Sequence, residues 1–520
     1  MIPNVPIFGR PTHKSFISNS HYDPFFLINC NAHRLREAAP SDISSSLEFH
    51  LTEVHERTHW LQHIGTTFGS FLDALRSSQR YTLLRFLRDE SRQKRSEIIR
   101  ARFEDGIPLI ETNPKTQRIR SDDPDLHSYL NILRQIWFDH QWLHSNLEDA
   151  RTTDILGNPP VQASSYVLAD VIMNCCDTFG FISDDVRSAR HHQTREWYFA
   201  ADSSLSDVVI NTGNGHQNLT SISLMECSAS LNELQQLQNG VIQTILGSDF
   251  EKIARQRSEA FHDSTYSLPF IVFQQASPTH SRDRETALVT LNLLIYFALN
   301  PPLPPRVLSE PRRSYRWSEI YPPMRFIAAL RVLREVRQLS DPDSLTEMQA
   351  FLDGVVDATK LPFSGNDSMP KRSGHKLDFN ALARQKDFPV TIDDELVVQA
   401  QIQSDKIPNR LALFANYASC VSGELCPSFV ELLVGDSETS KLMRPPLEFL
   451  PNGEIGFSGT PEFGNNIVRS VAVSHGLFEV ACGRGEIALS GLPKVVQESE
   501  GLDSFVKKSI SHMIIDTDNQ

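Results

Sequence analysis

One pentapeptide near the start of the chain combines residue types and a spacing that suit metal chemistry. It reads His55-Glu56-Arg57-Thr58-His59. On an α-helix, residues four positions apart lie on one face, about 6 Å apart along the axis. Two imidazoles placed in this way can bind one Zn²⁺ at roughly 2.0–2.1 Å each. Glu56 then lies about 100° around the helix, where it can reach a water molecule without being a ligand. The pattern therefore predicts metal-assisted hydrolysis.

The sequence around the pentapeptide predicts the helix that this chemistry requires. Apolar residues recur at helical spacing from Ser46 to Ser70, and no Pro or Gly interrupts them before Gly65. Three serines, 44–46, are candidate N-caps, and Glu48 follows Ser45 at the spacing of a capping box. Because the chain has 18 His in 520 residues, chance places such a pentapeptide in roughly a few per cent of similar chains. The helical context is what makes the pattern informative.

A catalytic zinc site has three protein ligands and an open position for water, so a third ligand must come from elsewhere. Glu226 is the preferred candidate, because residues 222–231 are largely apolar and a buried carboxylate needs a partner such as a metal. Thr220 or Ser221 is expected to cap its helix. Glu148 is the alternative ligand. It lies in a more polar stretch, where it could instead accept a hydrogen bond from the outer N–H of a metal-bound histidine.

These features resemble the zinc metallopeptidases of the HExxH class, the zincin superfamily, and within it the gluzincins. The resemblance covers about a dozen residues around the pentapeptide. A weaker likeness lies near Glu226, where Ala229 follows three residues later on an amphipathic helix, as in the glutamate helix of several gluzincin families. The resemblance implies that His55, His59 and Glu226 bind zinc and that Glu56 is the general base.

The chain departs from a longer signature of the same superfamily, HExxHxxGxxH, in which a Gly turns the chain and a third His returns to the metal. Gln62 stands at the Gly position and Gly65 at the position of the third His. His63 lies eight residues after His55, which is about 12 Å along a helix and too far for a shared ion. We expect His63 to support a ligand from outside the metal site, to line the cleft, or to lie on the surface.

Other side chains could add to the chemistry. His140 and His144 are also four residues apart, and they predict either a second metal face or a helix that packs two tryptophans. A zinc peptidase usually needs a further group that stabilises the oxyanion. The candidates are His216, Tyr266 and His475.

Composition excludes some classes of function. The net charge of −14 argues against non-specific nucleic-acid binding, which needs a basic surface. The most apolar stretch, 287–299, is too short to cross a bilayer and predicts a buried helix. Seven scattered cysteines without a CxxC pair favour a reducing compartment, and residues 1–14 do not read as a secretory signal. We therefore expect a cytoplasmic protein with no membrane partner.

The pattern of elements predicts a mainly α fold (α+β) with a minor β-sheet. We expect a zincin-like helical catalytic domain at 1–300, a helical linker region at 301–376 that begins at a Pro-rich break, and a mixed α/β accessory domain at 377–520. Helices are predicted at 46–100, 126–154, 162–180, 219–246, 248–262, 284–299, 323–339 and 343–358. Strands are predicted at 25–30, 208–211, 453–458 and 485–490.

Two functions are consistent with this sequence. The first is a zinc-dependent metalloendopeptidase that acts on a protein or peptide substrate, with hydrolysis of a non-peptide amide or ester as a minor variant of the same chemistry. The second is a non-catalytic zincin-like sensor or interaction protein that acts through its C-terminal region. Metal content distinguishes them, because the peptidase requires one bound zinc per chain.

Overall fold

The structure is a computed structural model, and the part of the chain that it describes is mainly helical, as the sequence predicts. The residues that it describes are 21–23, 28–30, 43–88, 91–103, helical positions within 128–148 and 167–175, 208–212, 215–237, 243–244, 247–263, 265–277, 284–304, 306–307, 317–365, 447–449, 455–456 and 477. No helix in these ranges is both long enough and apolar enough to cross a membrane.

The helices in chain order are α1 (Ile43–Gly65), α2 (Thr67–Arg88), α3 (Arg92–Phe103), α4 (Ser221–Leu237), α5 (Phe250–Asp263), α6 (Leu268–Ala276), α7 (Arg284–Ala298), α8 (Trp317–Ile320), α9 (Pro322–Val332) and α10 (Leu345–Thr359). Two short 3₁₀ helices, Gly247–Asp249 and Thr265–Ser267, precede α5 and α6. The described positions within 128–148 and 167–175 are helical, in agreement with the prediction.

The strands form two small sheets. β1 (His21–Asp23), β2 (Ile28–Cys30), β5 (Leu447–Phe449) and β6 (Ile455–Gly456) make a four-stranded sheet in the order β1-β2-β5-β6. Within it, β2 and β5 are parallel and the other pairs are antiparallel. β3 (Val208–Thr212) and β4 (Gly215–Leu219) form an antiparallel hairpin. The hairpin ends two residues before α4 begins, so it leads directly into the helix that carries Glu226.

The hydrophobic core is built around α1, α4 and α7. Every residue of α7 from Ala287 to Ala298 is buried, as the apolar sequence predicts, so this part of the helix lies inside the protein rather than on its surface. α4 packs against both α1 and α7. Trp60 of α1 and Leu224 of α4 are among the fully buried side chains. Burial of a side chain of this size stabilises the folded state by roughly 1.5–3 kcal/mol.

The helices that follow residue 300 share this core. α9 packs against α7 and against α10. The guanidinium of Arg325 is buried, donates to the carbonyl oxygens of Glu319 (2.8 Å) and Phe297 (3.1 Å), and lies 4.6 Å from the ring centroid of Phe297. Burial lowers the pKa of Arg325 to about 9. The predicted division at 1–300, 301–376 and 377–520 stays a prediction, and the structure adds that α8–α10 bury their apolar faces with the first region.

Several predicted boundaries are wrong by a few residues. α1 begins at Ile43, so serines 44–46 lie in its first turn rather than at its cap. α9 ends at Val332 rather than near 339, because the chain tightens into turns with i→i+3 hydrogen bonds, such as Glu335 N–H to Val332 O. The predicted strand at 485–490 and residues 366–376 of the predicted linker region lie outside the described residues.

Two buried histidines attach α2 to the helical segment within 128–148. His140 bonds through Nδ1 to the carbonyl oxygen of Ile136 (2.9 Å), and its Nε2 lies 3.4 Å from Ser78 Oγ. Arg76 Nε donates to Nε2 of His144 (3.2 Å), so Nδ1 of His144 carries the proton and bonds to Glu148 (3.1 Å). Both rings bond to protein partners, and among the described residues they do not belong to a group of three metal-binding side chains close enough to share an ion.

Burial makes His140 a source of acid sensitivity. Its pKa is lowered to about 4, because burial opposes the charged imidazolium more than the Ile136 carbonyl favours it. Between the ordinary histidine pKa of about 6.5 and this value, the unfolded chain binds a proton that the folded chain does not. Acidification through this window therefore destabilises the folded state, by up to about 1.4 kcal/mol per pH unit.

We predict that His140→Gln weakens the pH dependence of the free energy of unfolding in this window. Urea unfolding in chelator at about pH 7, 6 and 5 measures the free energy of unfolding of each protein. The wild-type free energy should fall more steeply with acidification than that of His140→Gln. The control is His216→Gln, at an exposed position of β4, which should keep the wild-type slope. Equal slopes for wild type and His140→Gln would contradict the prediction.

Candidate metal centre

Helix α1 places His55 and His59 side by side, as residues one turn apart on a helix must lie. Their ring centroids are 4.8 Å apart, and the rings meet edge to face. The two Nε2 atoms are 3.1 Å apart. Both histidines therefore direct the same ring nitrogen to one point beside the helix.

Helix α4 brings Glu226 to that point. Its Oε2 lies 3.1 Å from Nε2 of His55 and 3.4 Å from Nε2 of His59. The ligand atoms of a tetrahedral zinc site with bonds of about 2.0–2.1 Å lie roughly 3.3 Å apart, so the three observed separations fit such a site. Within the described ranges, these residues are the one group of three or more metal-binding side chains close enough to share an ion. Glu148, the alternative, is bonded to His144 instead.

A capping box starts α4 and fixes the turn that carries Glu226. Thr220 Oγ1 accepts from the backbone N–H of Ser223 (3.1 Å), and Ser223 Oγ accepts from the backbone N–H of Thr220 (2.8 Å). The prediction that Thr220 caps this helix is therefore confirmed. Cys227, next to Glu226, points into the core, where burial raises the pKa of its thiol far above the usual value.

A chain of buried hydrogen bonds sets the register of α4 between α1 and α7. Ser228 Oγ donates to Asn292 Oδ1 (2.9 Å), and Asn292 Nδ2 donates to Asn232 Oδ1 (3.2 Å). Asn232 Nδ2 donates to Thr58 Oγ1 (3.2 Å), which donates to the carbonyl oxygen of Val54 (2.8 Å). The four side chains are each 1 % exposed. Sliding α4 along α1 would break bonds that water cannot replace.

The outer nitrogen of His55 is held by a charged pair. His55 Nδ1 lies 2.5 Å from Glu233 Oε1, and Glu233 Oε2 accepts from Arg257 Nη1 (3.3 Å). A carboxylate accepts, so Nδ1 of His55 carries a proton, and when the ring is neutral its Nε2 keeps a lone pair toward Glu226. Sequence reasoning did not find Glu233. Its seven-residue spacing from Glu226, two turns along the same face of α4, is the signal that was available.

The outer nitrogen of His59 is held by an amide. His59 Nδ1 lies 3.0 Å from Gln62 Oε1, and Gln62 Nε2 donates to the carbonyl oxygen of Met225 (3.0 Å). Since a carbonyl can only accept, the NH₂ group of Gln62 faces Met225 and its oxygen faces His59. Nδ1 of His59 is then the donor, and its Nε2 also keeps a lone pair toward Glu226. Sequence reasoning named Gln62 only as a departure from the longer signature.

The centre of the site stabilises positive charge. Burial opposes protonation of His55, but Glu233 and Glu226 outweigh it and raise the pKa of His55 well above its ordinary value. The pKa of His59 is also raised, because Glu226 outweighs burial. Burial acts against ionisation of Glu226, yet His59 and His55 lower its pKa far below the ordinary value. Without a metal, protons hold these three side chains together, and a divalent cation would replace them.

Glu56 lies on α1 beside the first histidine and does not join the three converging atoms. Its side chain is buried, with 4 % of the residue exposed. Burial raises the pKa of Glu56 to about 7, although the neighbouring His55 and His59 oppose the shift. A carboxyl group with this pKa can both accept and donate a proton near neutral pH.

Of the remaining predicted residues, three lie within the described ranges and one does not. His63 is buried and bonds through Nε2 to Asp73 of α2 (2.6 Å), so the interpretation as a surface histidine is wrong. His216 is exposed on β4 and Tyr266 is exposed in the 3₁₀ helix before α6. His475 lies outside the described residues. Which residue stabilises an oxyanion stays a prediction.

Comparison of the chain with protein families, with characterised proteins and with solved structures finds no match.

We predict that Asn232→Ala destabilises the protein by about 1–3 kcal/mol, because it leaves Asn292 without its buried acceptor and removes the link to Thr58. Chemical denaturation in the presence of chelator measures the loss. Asn211→Ala, at an exposed position of β3, is the control and should change the free energy of unfolding by less than about 0.5 kcal/mol. The same small change for both variants would show that the buried chain does not stabilise α4.

Proposed function

We propose that this protein is a zinc-dependent metallopeptidase in which His55, His59 and Glu226 bind Zn²⁺ and Glu56 is the general base. One observation carries the proposal. Two imidazole nitrogens and one carboxylate oxygen converge at 3.1–3.4 Å, and the outer nitrogen of each imidazole bonds to an acceptor. When the histidines are neutral, three lone pairs therefore face one another, and a cation is needed to bind them together.

The donor set fits zinc. Imidazole nitrogen and carboxylate oxygen are ordinary ligands of Zn²⁺, and three protein ligands leave a fourth position open for water or substrate. Zn²⁺ bound there would supply a Lewis acid that polarises a carbonyl group and makes a water molecule acidic near neutral pH. Glu233 and Gln62 hold the rings in place, so that binding does not require the ligands to rearrange.

Glu56 is the side chain that would move protons. It neighbours a ligand in sequence, lies on the same helix and is buried next to the converging atoms. A carboxylate in this place accepts the proton of the attacking water and returns it to the leaving amine. Burial raises the pKa of Glu56 to about 7 in the metal-free protein, and a bound Zn²⁺ would lower it and so favour the carboxylate form that accepts the proton.

The choice of a peptide as substrate is supported by the resemblance to gluzincins. An HExxH helix with a Glu ligand on a later helix is common to them and to this chain. The arrangement of α1 and α4 gives the resemblance a geometric basis that the five-residue motif alone lacks. A cytoplasmic location belongs to the same proposal.

We predict that the purified protein binds one zinc per chain. Elemental analysis after dialysis against a weak chelator measures the stoichiometry. His55→Ala and Glu226→Gln should each reduce the zinc affinity by at least about a hundredfold, because two ligands do not hold the metal tightly. The control is His216→Ala, at an exposed position of β4, which should keep full zinc content. Metal-free wild-type protein would contradict the proposal and favour the non-catalytic interaction protein.

We predict that Glu56→Gln keeps its zinc but loses peptide cleavage by about 10²–10⁴-fold, because the amide cannot accept the proton of water. Proteomic mapping of new N-termini, with wild type and Glu56→Gln incubated in the same extract, measures cleavage. Glu259→Gln, an exposed position of α5, is the matched control. Cleavage by Glu56→Gln at the wild-type rate would disprove this role. If the wild type binds zinc but does not cleave peptides, the substrate would instead be a non-peptide amide or an ester.

A further inference from the structure

We infer that Gln62 is a positioning residue of the metal site, which selects the tautomer of His59 and holds α4 at the ligand Glu226. This inference rests on the proposed function. It assigns a role to a side chain that the pentapeptide does not contain and that stands where the longer zincin signature has a Gly. A Gly has no side chain, so the role that Gln62 has here is not available to that signature.

Both ends of the Gln62 side chain are used. Its oxygen accepts from Nδ1 of His59, and its NH₂ group donates to the carbonyl oxygen of Met225. The bond to Met225 decides which end faces His59, because a carbonyl oxygen cannot donate. The bond to His59 then decides which nitrogen of the ring carries the proton. A contact to the backbone of α4 therefore fixes the nitrogen that His59 offers to the metal.

The same side chain fixes a distance between two helices. Met225 directly precedes Glu226, so the bond from Gln62 attaches α1 to α4 at the turn that carries the third ligand. On the other side of that ligand, Glu233 of α4 bonds to His55. Glu226 is thus held between two side-chain bonds that cross the same helix pair. Gln and Asn carry an NH₂ donor and a carbonyl acceptor on separate atoms of one side chain, and Asn is one methylene shorter.

Because the Gln62 side chain is buried, its two hydrogen bonds are difficult to replace. Gln62 is 1 % exposed, so water cannot take over either hydrogen bond when the side chain is changed. A leucine of similar size would fill the space but leave Nδ1 of His59 without an acceptor. The ring could then rotate or take the other tautomer, which places a proton where the metal needs a lone pair.

The chain offers a matched control for the general cost of losing a buried glutamine. Gln79 of α2 is also 1 % exposed and donates through Nε2 to the carbonyl oxygen of Trp137 (2.8 Å). It therefore joins two helical segments as Gln62 does, but it does not contact a metal-binding residue. Gln79→Leu measures what the loss of such a bond does to stability alone.

The experiment compares the zinc affinity of wild type, Gln62→Leu and Gln79→Leu by competition with a chromophoric chelator. We expect both variants to unfold at lower urea concentration than wild type. We expect Gln62→Leu to bind zinc about 10–100-fold more weakly and Gln79→Leu to bind it as tightly as wild type. Zinc affinity of Gln62→Leu within twofold of Gln79→Leu would overturn the inference.

A second variant keeps the test decisive if Gln62→Leu does not fold. Gln62→Glu preserves the shape and the acceptor for His59 but removes the donor to Met225. We expect it to bind zinc more tightly than Gln62→Leu or, where that variant is unfolded, within about tenfold of wild type. Loss of zinc binding by folded Gln62→Glu would contradict the role as acceptor.

A third measurement does not depend on metal. Long-range ¹H–¹⁵N spectra of histidine-labelled, metal-free protein at roughly pH 10, well above the ordinary imidazole pKa, report the tautomer of each ring. Wild type should show the Nδ1–H tautomer for His59, and a folded Gln62 variant without an acceptor should show a mixture. If the wild type binds no zinc, the proposed function fails, and this spectrum alone decides whether Gln62 selects the tautomer. An unchanged tautomer in Gln62→Leu would overturn that selection.

Discussion

Three side-chain atoms that repel one another unless a proton or a cation lies between them are the constraint on which the rest of this structure depends. His55, His59 and Glu226 point lone pairs at one small volume, and the fold must keep them there whether or not a cation compensates. Protons can do so in the absence of metal, as the raised histidine pKa values indicate. Holding the three side chains in this arrangement would save reorganisation if the proposed metal binds.

The surrounding helices supply what opposes that repulsion. The apolar faces of α1, α4 and α7 pack together in the hydrophobic core. The hydrogen bonds through Asn232 and Asn292 prevent these helices from sliding along one another. Apolar packing alone tolerates small shifts, whereas buried hydrogen bonds do not. The polar residues inside this core therefore fix the relative positions of the helices, and its apolar residues supply most of the stability of the fold.

How much of the site could be predicted from sequence depended on how local each contact is. The His55–His59 pair follows from the geometry of a helix, and the cap at Thr220 follows from residue types three positions apart. Glu226 was found because a carboxylate among apolar residues needs a partner. Glu233 and Gln62 were not assigned their roles, because their bonds join α1 to α4. The sequence of one helix does not show which residue of another helix a polar side chain will contact. The end of α9 was also missed, since local turns there replaced a continuing helical pattern.

The parallel pairing of β2 with β5 has a consequence for the order in which the molecule is made. These strands are about 420 residues apart along the chain, so a ribosome must synthesise most of the protein before the sheet ahead of α1 can close. The helices that gather the histidines and the glutamate emerge much earlier. Contacts between distant segments form slowly, so the helices that bring His55, His59 and Glu226 together can pack before the sheet is complete.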